Sequence, residues 1–242
     1  MVGKRSFRKP RKISAEIRKR NRTGKVFKEP RFDEWPPYIL PSLRVNSVRR
    51  EFYEFGERFI QNFVPSFNSR KNKKYKTDFL RGHGESPLAV AVCTGERIHE
   101  NLAICLAKIG FTKESVLVKG IQGEKGKLSD IMKFENIVGM KWANYLIQEI
   151  EVQAKQNGYR YVKITIPERI AFYQKPSVHK SQYYNDIIEP LMASESQAER
   201  KEGQRLHKEL QEEIRQRMRK LYYGVAKEMG YKKRGDYFIK KI

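Results

Sequence analysis

Cysteine is nearly absent. Cys93 and Cys105 are the only two in 242 residues, too few for a disulfide scaffold and without the spacing of metal ligands. Both lie in apolar runs, where a thiol serves as a small buried hydrophobe. No metal site is expected. No stretch approaches the ~20 apolar residues that cross a bilayer, so no membrane partner is expected. The N-terminus lacks the apolar core of a signal peptide, and a cytoplasmic location is the expectation. No Gly-x-Gly-x-x-Gly follows a predicted strand, and no Gly-x-x-x-x-Gly-Lys-Ser/Thr occurs. That argues against a nucleotide-binding, doubly wound domain. Acids are the last shortage. Only 28 Asp and Glu face 51 Lys and Arg, a formal charge of +23.

That excess favours an anionic partner, through phosphate neutralisation and counterion release. It is unevenly spread. Residues 1–32 hold 13 Lys and Arg against Glu16 and Glu29. Apolar residues there are too sparse to offset the entropy of ordering, so residues 1–33 read as a basic, disordered arm. Its candidate phosphate contacts are Arg5, Arg8, Lys9, Arg11, Lys12, Arg18, Lys19 and Arg20, with RNA the expected partner. A second basic cluster, Arg70, Lys71, Lys73, Lys74 and Lys76, surrounds Tyr75. Cations around a ring suit phosphate contacts beside a stacked base.

Hydrophobic residues make up 39% and aromatics 12% of the chain, enough to build a core from residues 34–242. Trp35 to Pro41 reads as an extended connector. Asn46-Ser47 caps a helix to about Phe63, with Phe52, Phe55, Phe59, Ile60 and Phe63 as its buried stripe. Pro65 to Ser86 reads as polar loop, with Gly82 and Gly84 freeing the backbone around His83. Leu88–Cys93 is an interior strand, Glu96–Ile109 a helix with Ile98, Leu102, Cys105 and Leu106 on one side, and Ser115–Ile121 a strand.

The clearest stretch is Ile137–Ile166. A glycine-containing loop leads into a helix from about Lys141 to Gln156, striped by Trp142, Leu146, Ile150 and Ala154. Asn157-Gly158 stops it. Tyr159–Ile166 then alternates as a strand until Pro167. A helical insertion is expected around residues 175–220. A long helix runs from Ser194 to about Met229, with Gly203 as a point where it can break, and Tyr237–Ile242 closes the chain as a strand. The alternation argues a layered α/β domain with helices on both faces of one sheet.

Two segments carry a family resemblance. Asn136-Ile-Val-Gly-Met-Lys141, with the helix from Trp142 and the strand after Gly158, is similar to the pyrophosphate loop, helix and central strand of the GNAT superfamily of acyl-CoA-dependent N-acyltransferases. Leu221-Tyr-Tyr-Gly-Val-Ala-Lys-Glu-Met-Gly-Tyr231 and the strand beyond it resemble that family's late helix and closing strand. The family loop reads Gln/Arg-x-x-Gly-x-Gly/Ala. Here Asn136 takes the first place, Gly139 matches, and Lys141 stands at the last, where it either crowds a pyrophosphate or pairs with it.

The resemblance implies a GNAT-like mixed sheet flanked by helices and an acetyl-CoA or other acyl-CoA cosubstrate. Amides around Val138, Gly139, Met140 and Lys141 would hold the pyrophosphate at a helix N-terminus. A backbone N–H on the neighbouring strand would polarise the thioester carbonyl. Tyr222 or Tyr223 would protonate the leaving thiolate, and Glu135 or His83 would take the amine proton. The competing expectation is a non-catalytic RNA-binding or ribosome-associated protein on a similar layer. Splayed strands beside residues 134–146 would favour coenzyme A. An unbroken sheet with the helix N-terminus blocked would remove it.

Overall fold

The computed structural model describes residues 55–65, 74–81, 86, 88–95, 102–176, 178 and 182–242. The arm, the connector, Arg70, Lys71, Lys73 and His83 lie outside these residues, as does the first part of the helix expected from Asn46. Its described end is α1 (Glu57–Gln61). Then follow β1 (Tyr75–Arg81), β2 (Leu88–Thr94), β3 (Ala103–Phe111), β4 (Ser115–Gly123), α2 (Leu128–Val138), α3 (Trp142–Gln156) and β5 (Tyr161–Thr165). A short helix α4 (Ala171–Gln174), a π-helical turn at Tyr184–Ile188, α5 (Glu189–Ala193), α6 (Gln197–Glu228), β6 (Lys232–Arg234) and β7 (Tyr237–Lys241) complete the chain.

The seven strands form one sheet in the order β1-β2-β3-β4-β5-β7-β6. Only β4 and β5 are parallel; every other neighbouring pair is antiparallel. A parallel pair needs a long crossover, and α2 with α3 supplies it. The protein is thus mixed α/β.

Strand alternation sorts the side chains onto two faces. Val116 and Val118 of β4, Val162 and Ile164 of β5, and Phe238 of β7 share one buried cluster with Leu146 and Ile150 of α3 and Val225 of α6. Phe59 of α1 and Phe134 of α2 belong to the same cluster. These helices therefore lie on one face of the sheet. A second helical layer, expected from the alternation, is not among the described residues. The opposite face is divided. Leu80, Ala91, Cys93 and Ala103 form a small buried cluster at its β1–β3 end. Its β4–β6 end is taken up below.

Four expectations are corrected. Residues 103–109, expected as helix, are strand β3. Both faces of that strand are covered, so its apolar residues are nearly continuous, and a helical spacing could be read from them by chance. Residues 75–81, expected as loop, are strand β1, in which Tyr75, Thr77 and Phe79 alternate inward. Residues 128–138, given no element by the sequence reading, are helix α2, buried through Ile131 and Phe134, so the loop expected before α3 shortens to residues 139–141. Gly203 does not break α6. A Cβ there would lie 2.9 Å from the Met192 backbone nitrogen, so this glycine lets α5 pack against α6 at backbone distance. None of the described helices is long and apolar enough to cross a membrane.

Candidate functional site

The stretch singled out by sequence folds into a helix–turn–helix joint. Gly139 ends α2 in the left-handed conformation at φ 70°, and its N–H donates to the Glu135 carbonyl at 2.8 Å. It is a helix stop, the role glycine serves at little steric cost. Three residues later α3 begins. No side chain at Lys141 caps it. Instead the Trp142 N–H donates to the Glu135 carboxylate at 2.9 Å. Acidic groups are favoured at a helix N-terminus, because the amides there lack intrahelical acceptors.

A second carboxylate arrives from α6. Glu228 accepts from the Lys141 ammonium and, at 2.7 Å, from the Asn144 amide. The Lys141 hydrogen bond, then that of Asn144, holds its carboxyl below the usual carboxylate range. Glu135, Lys141, Asn144 and Glu228 therefore close around the start of α3. Two of them, Asn144 and Glu228, had no role in the sequence reading. An acid near the end of a helix, where the dipole disfavours it, was the available signal.

The sheet beside this joint parts. β4 and β5 pair only from Ser115↔Tyr161 to Val118↔Ile164. Beyond them β4 runs on beside β3 to Gly123. The β3–β4 register shifts between Lys108 and Ile109, leaving Lys119 as the extra residue of a bulge. A bulge bends its strand and steepens the local twist, which helps to separate it from β5. Tyr222 of α6 reaches this gap. It is 1% exposed, and its hydroxyl accepts the Ile121 N–H at 2.7 Å. The strand N–H beyond the parting is thereby committed to a tyrosine of the same chain.

The remaining sequence candidates separate. Tyr223, the next residue along α6, points elsewhere. It accepts from Lys233 at 3.1 Å and stacks edge-on against Phe238. That hydrogen bond raises the Lys233 ammonium above its usual range. Val138 and Met140 pack against the core. Lys74 and Lys76 flank Tyr75, whose buried ring stacks edge-on with Phe134. Tyr75 is therefore a core residue and not the base-stacking ring that the basic cluster suggested. Burial drives the Cys105 thiol well above its ordinary range. Among the described residues no group of His, Cys, Asp and Glu is placed to hold a metal.

No protein-family model, curated protein or solved structure matches the chain.

Proposed function

We propose that this protein is a non-catalytic, basic nucleic-acid-binding protein, with RNA as its partner, built on a layered α/β sheet. The observation that carries this reading is the charge. Outside the arm, 38 Lys and Arg still face only 25 acids, so the cationic excess extends beyond it. Phosphate neutralisation by such an excess supplies most non-specific affinity. Two amides beside the place where thioester chemistry would sit are engaged within the fold: Trp142 N–H with Glu135, Ile121 N–H with Tyr222. A pyrophosphate at the start of α3 would also meet two carboxylates.

The test measures binding of the full chain to a labelled single-stranded RNA across a salt series. The expected result is affinity that falls steeply with salt, at about 0.7 decades per decade for each phosphate contacted on a single strand. Neutralising Arg5, Arg8, Lys9, Arg11 and Lys12 together lowers that slope. Binding that ignores salt overturns the proposal.

A second reading, acyl-CoA-dependent N-acyl transfer on a GNAT-like sheet, is supported by the parting of β4 from β5 beside a bulge and a helix N-terminus. On that reading saturating acetyl-CoA raises the melting temperature by mass action on the folded state. An unchanged melting curve removes it.

A further inference from the structure

The β4–β6 end of the sheet carries a face that no described helix covers. Directly paired residues point to the same side of a sheet. In β5 and β7 the pairs Tyr161↔Lys241, Lys163↔Ile239 and Thr165↔Tyr237 therefore share one side. Lys232↔Ile239 and Arg234↔Tyr237 extend it across β6. The helix-packed side holds Val162, Ile164 and Phe238 instead. On the outer side of β5, β7 and β6 no residue is fully buried: Lys232, Arg234 and Lys241 are exposed, while Tyr161, Lys163, Thr165, Tyr237 and Ile239 are half-buried. No ion pair engages Lys163, Lys232, Arg234 or Lys241 among the described residues.

A cleft of about 270 Å³ opens at the end of β5, lined by Lys119, Thr165, Arg169, Ile170, Asp236 and Tyr237. Its acid, Asp236, is held by Arg169 at 2.8 Å. The face thus combines cations, two tyrosine rings and a recess beside one of them. Tyr161 and Tyr237 stand four residues and one strand apart, roughly 14 Å at ~3.3 Å per residue and ~4.8 Å per strand. Two rings that far apart serve two different bases. A flat strand surface also presents no helix to a duplex groove.

We infer that the outer face of β5, β7 and β6 binds single-stranded nucleic acid, with Tyr161 and Tyr237 stacking on bases and Lys163, Lys232, Arg234 and Lys241 contacting phosphates. Stacking on rings is tolerant of sequence, and the surrounding cations follow the backbone. This inference rests on the proposed nucleic-acid function and adds to it a site and a preference for single strands.

The experiment uses the full chain with a fluorescent 12-nucleotide oligouridine, the matching oligothymidine and an RNA duplex of equal length. Photocrosslinking of 4-thiouridine-containing RNA maps the contacts. Expected are crosslinks within residues 161–169 and 232–241, and single strands bound more tightly than duplex. The variant Tyr161→Leu/Tyr237→Leu is expected to lose tenfold or more in single-strand affinity at an unchanged melting temperature. Should it fail to fold, Lys232→Glu/Arg234→Glu changes only exposed side chains and is expected to weaken binding at least tenfold. Crosslinks confined to residues 1–33, with the charge variant binding as wild type, overturn the sheet site and leave nucleic-acid binding standing. Absence of binding to all three probes overturns both. Tight oligouridine with weak oligothymidine binding supports the site with contacts to the ribose hydroxyl. Equal affinities support it with stacking and phosphate contacts alone.

Discussion

The start of α3 and the outer face of β5, β7 and β6 both offer groups of the kind that bind anions, and they are built in opposite ways. At α3 the polar groups face one another. Glu135 takes the Trp142 amide, and Glu228 takes Lys141 and Asn144. On the sheet face no described acid pairs with Lys163, Lys232, Arg234 or Lys241, and Asp236 holds Arg169. The first arrangement fastens α2, α3 and α6 into one joint. The second fastens nothing and leaves charge for a partner. Donors in a suitable motif do not make a site when the fold has already supplied their acceptors.

The sharpest way to break the contrast is at Tyr222. Tyr222→Phe keeps the ring but removes the acceptor of the buried Ile121 N–H. A buried donor left unsatisfied costs about 1–3 kcal/mol, which denaturant melts of the two proteins will read. RNA affinity stays at the wild-type value. If stability is unchanged, water replaces the hydroxyl and the gap between β4 and β5 is more open than a tyrosine-sealed one.

Glu135→Ala comes next. It removes the carboxylate from the Trp142 N–H, and loss of an N-terminal cap costs about 0.5–2 kcal/mol. The same variant sharpens the comparison, because it takes one negative charge from the start of α3. If acetyl-CoA raises the melting temperature of Glu135→Ala and not of the wild type, the α3 N-terminus is a latent anion site held shut by that side chain. If neither protein responds, it is a structural joint only.

Lys233→Met tests the helix-packed side of β6. Lys233 pairs with Phe238 in register and donates to Tyr223. An exposed contact of this kind contributes within about 0.5 kcal/mol, so the melt should barely move. RNA binding should fall less than for Lys232→Glu/Arg234→Glu, whose side chains face the other way. Equal losses would mean that charge alone, and not the face, governs binding.

How much of this was legible in sequence follows from how one-sided each element is. α3 announced itself because one side is buried and the other wet, and Asn157-Gly158 supplied its stop. β2 was legible as a short apolar run. β3 was not, because cover on both faces erases the period of two that separates a strand from a helix. β1 was lost behind its lysines, although Tyr75, Thr77 and Phe79 alternate in plain view. The candidate site was legible as a place and not as an arrangement. Gly139 and Lys141 mark the joint, but the carboxylate that engages Lys141 lies 87 residues away in α6. The outer face depends on strand register, which pairs β5 with a strand more than 70 residues later.

The smallest expected effect concerns acid. Glu228 has its carboxyl held below the usual range by Lys141 and Asn144. A carboxyl depressed in the folded state contributes stability above its unfolded value, about 4.3 for glutamate, and loses that contribution as pH falls through the folded value. The loss is of the carboxylate acceptor. Both partners are largely exposed, and solvent screens the pair, which keeps the effect small. Melting temperatures of wild type and Glu228→Gln should differ slightly near pH 7 and converge as the pH drops below 4. Convergence should come sooner at high salt, because the exposed pair is screened. A constant gap between the two curves down to pH 3 would mean that the carboxyl acts through its hydrogen bonds to Lys141 and Asn144 and not through its charge.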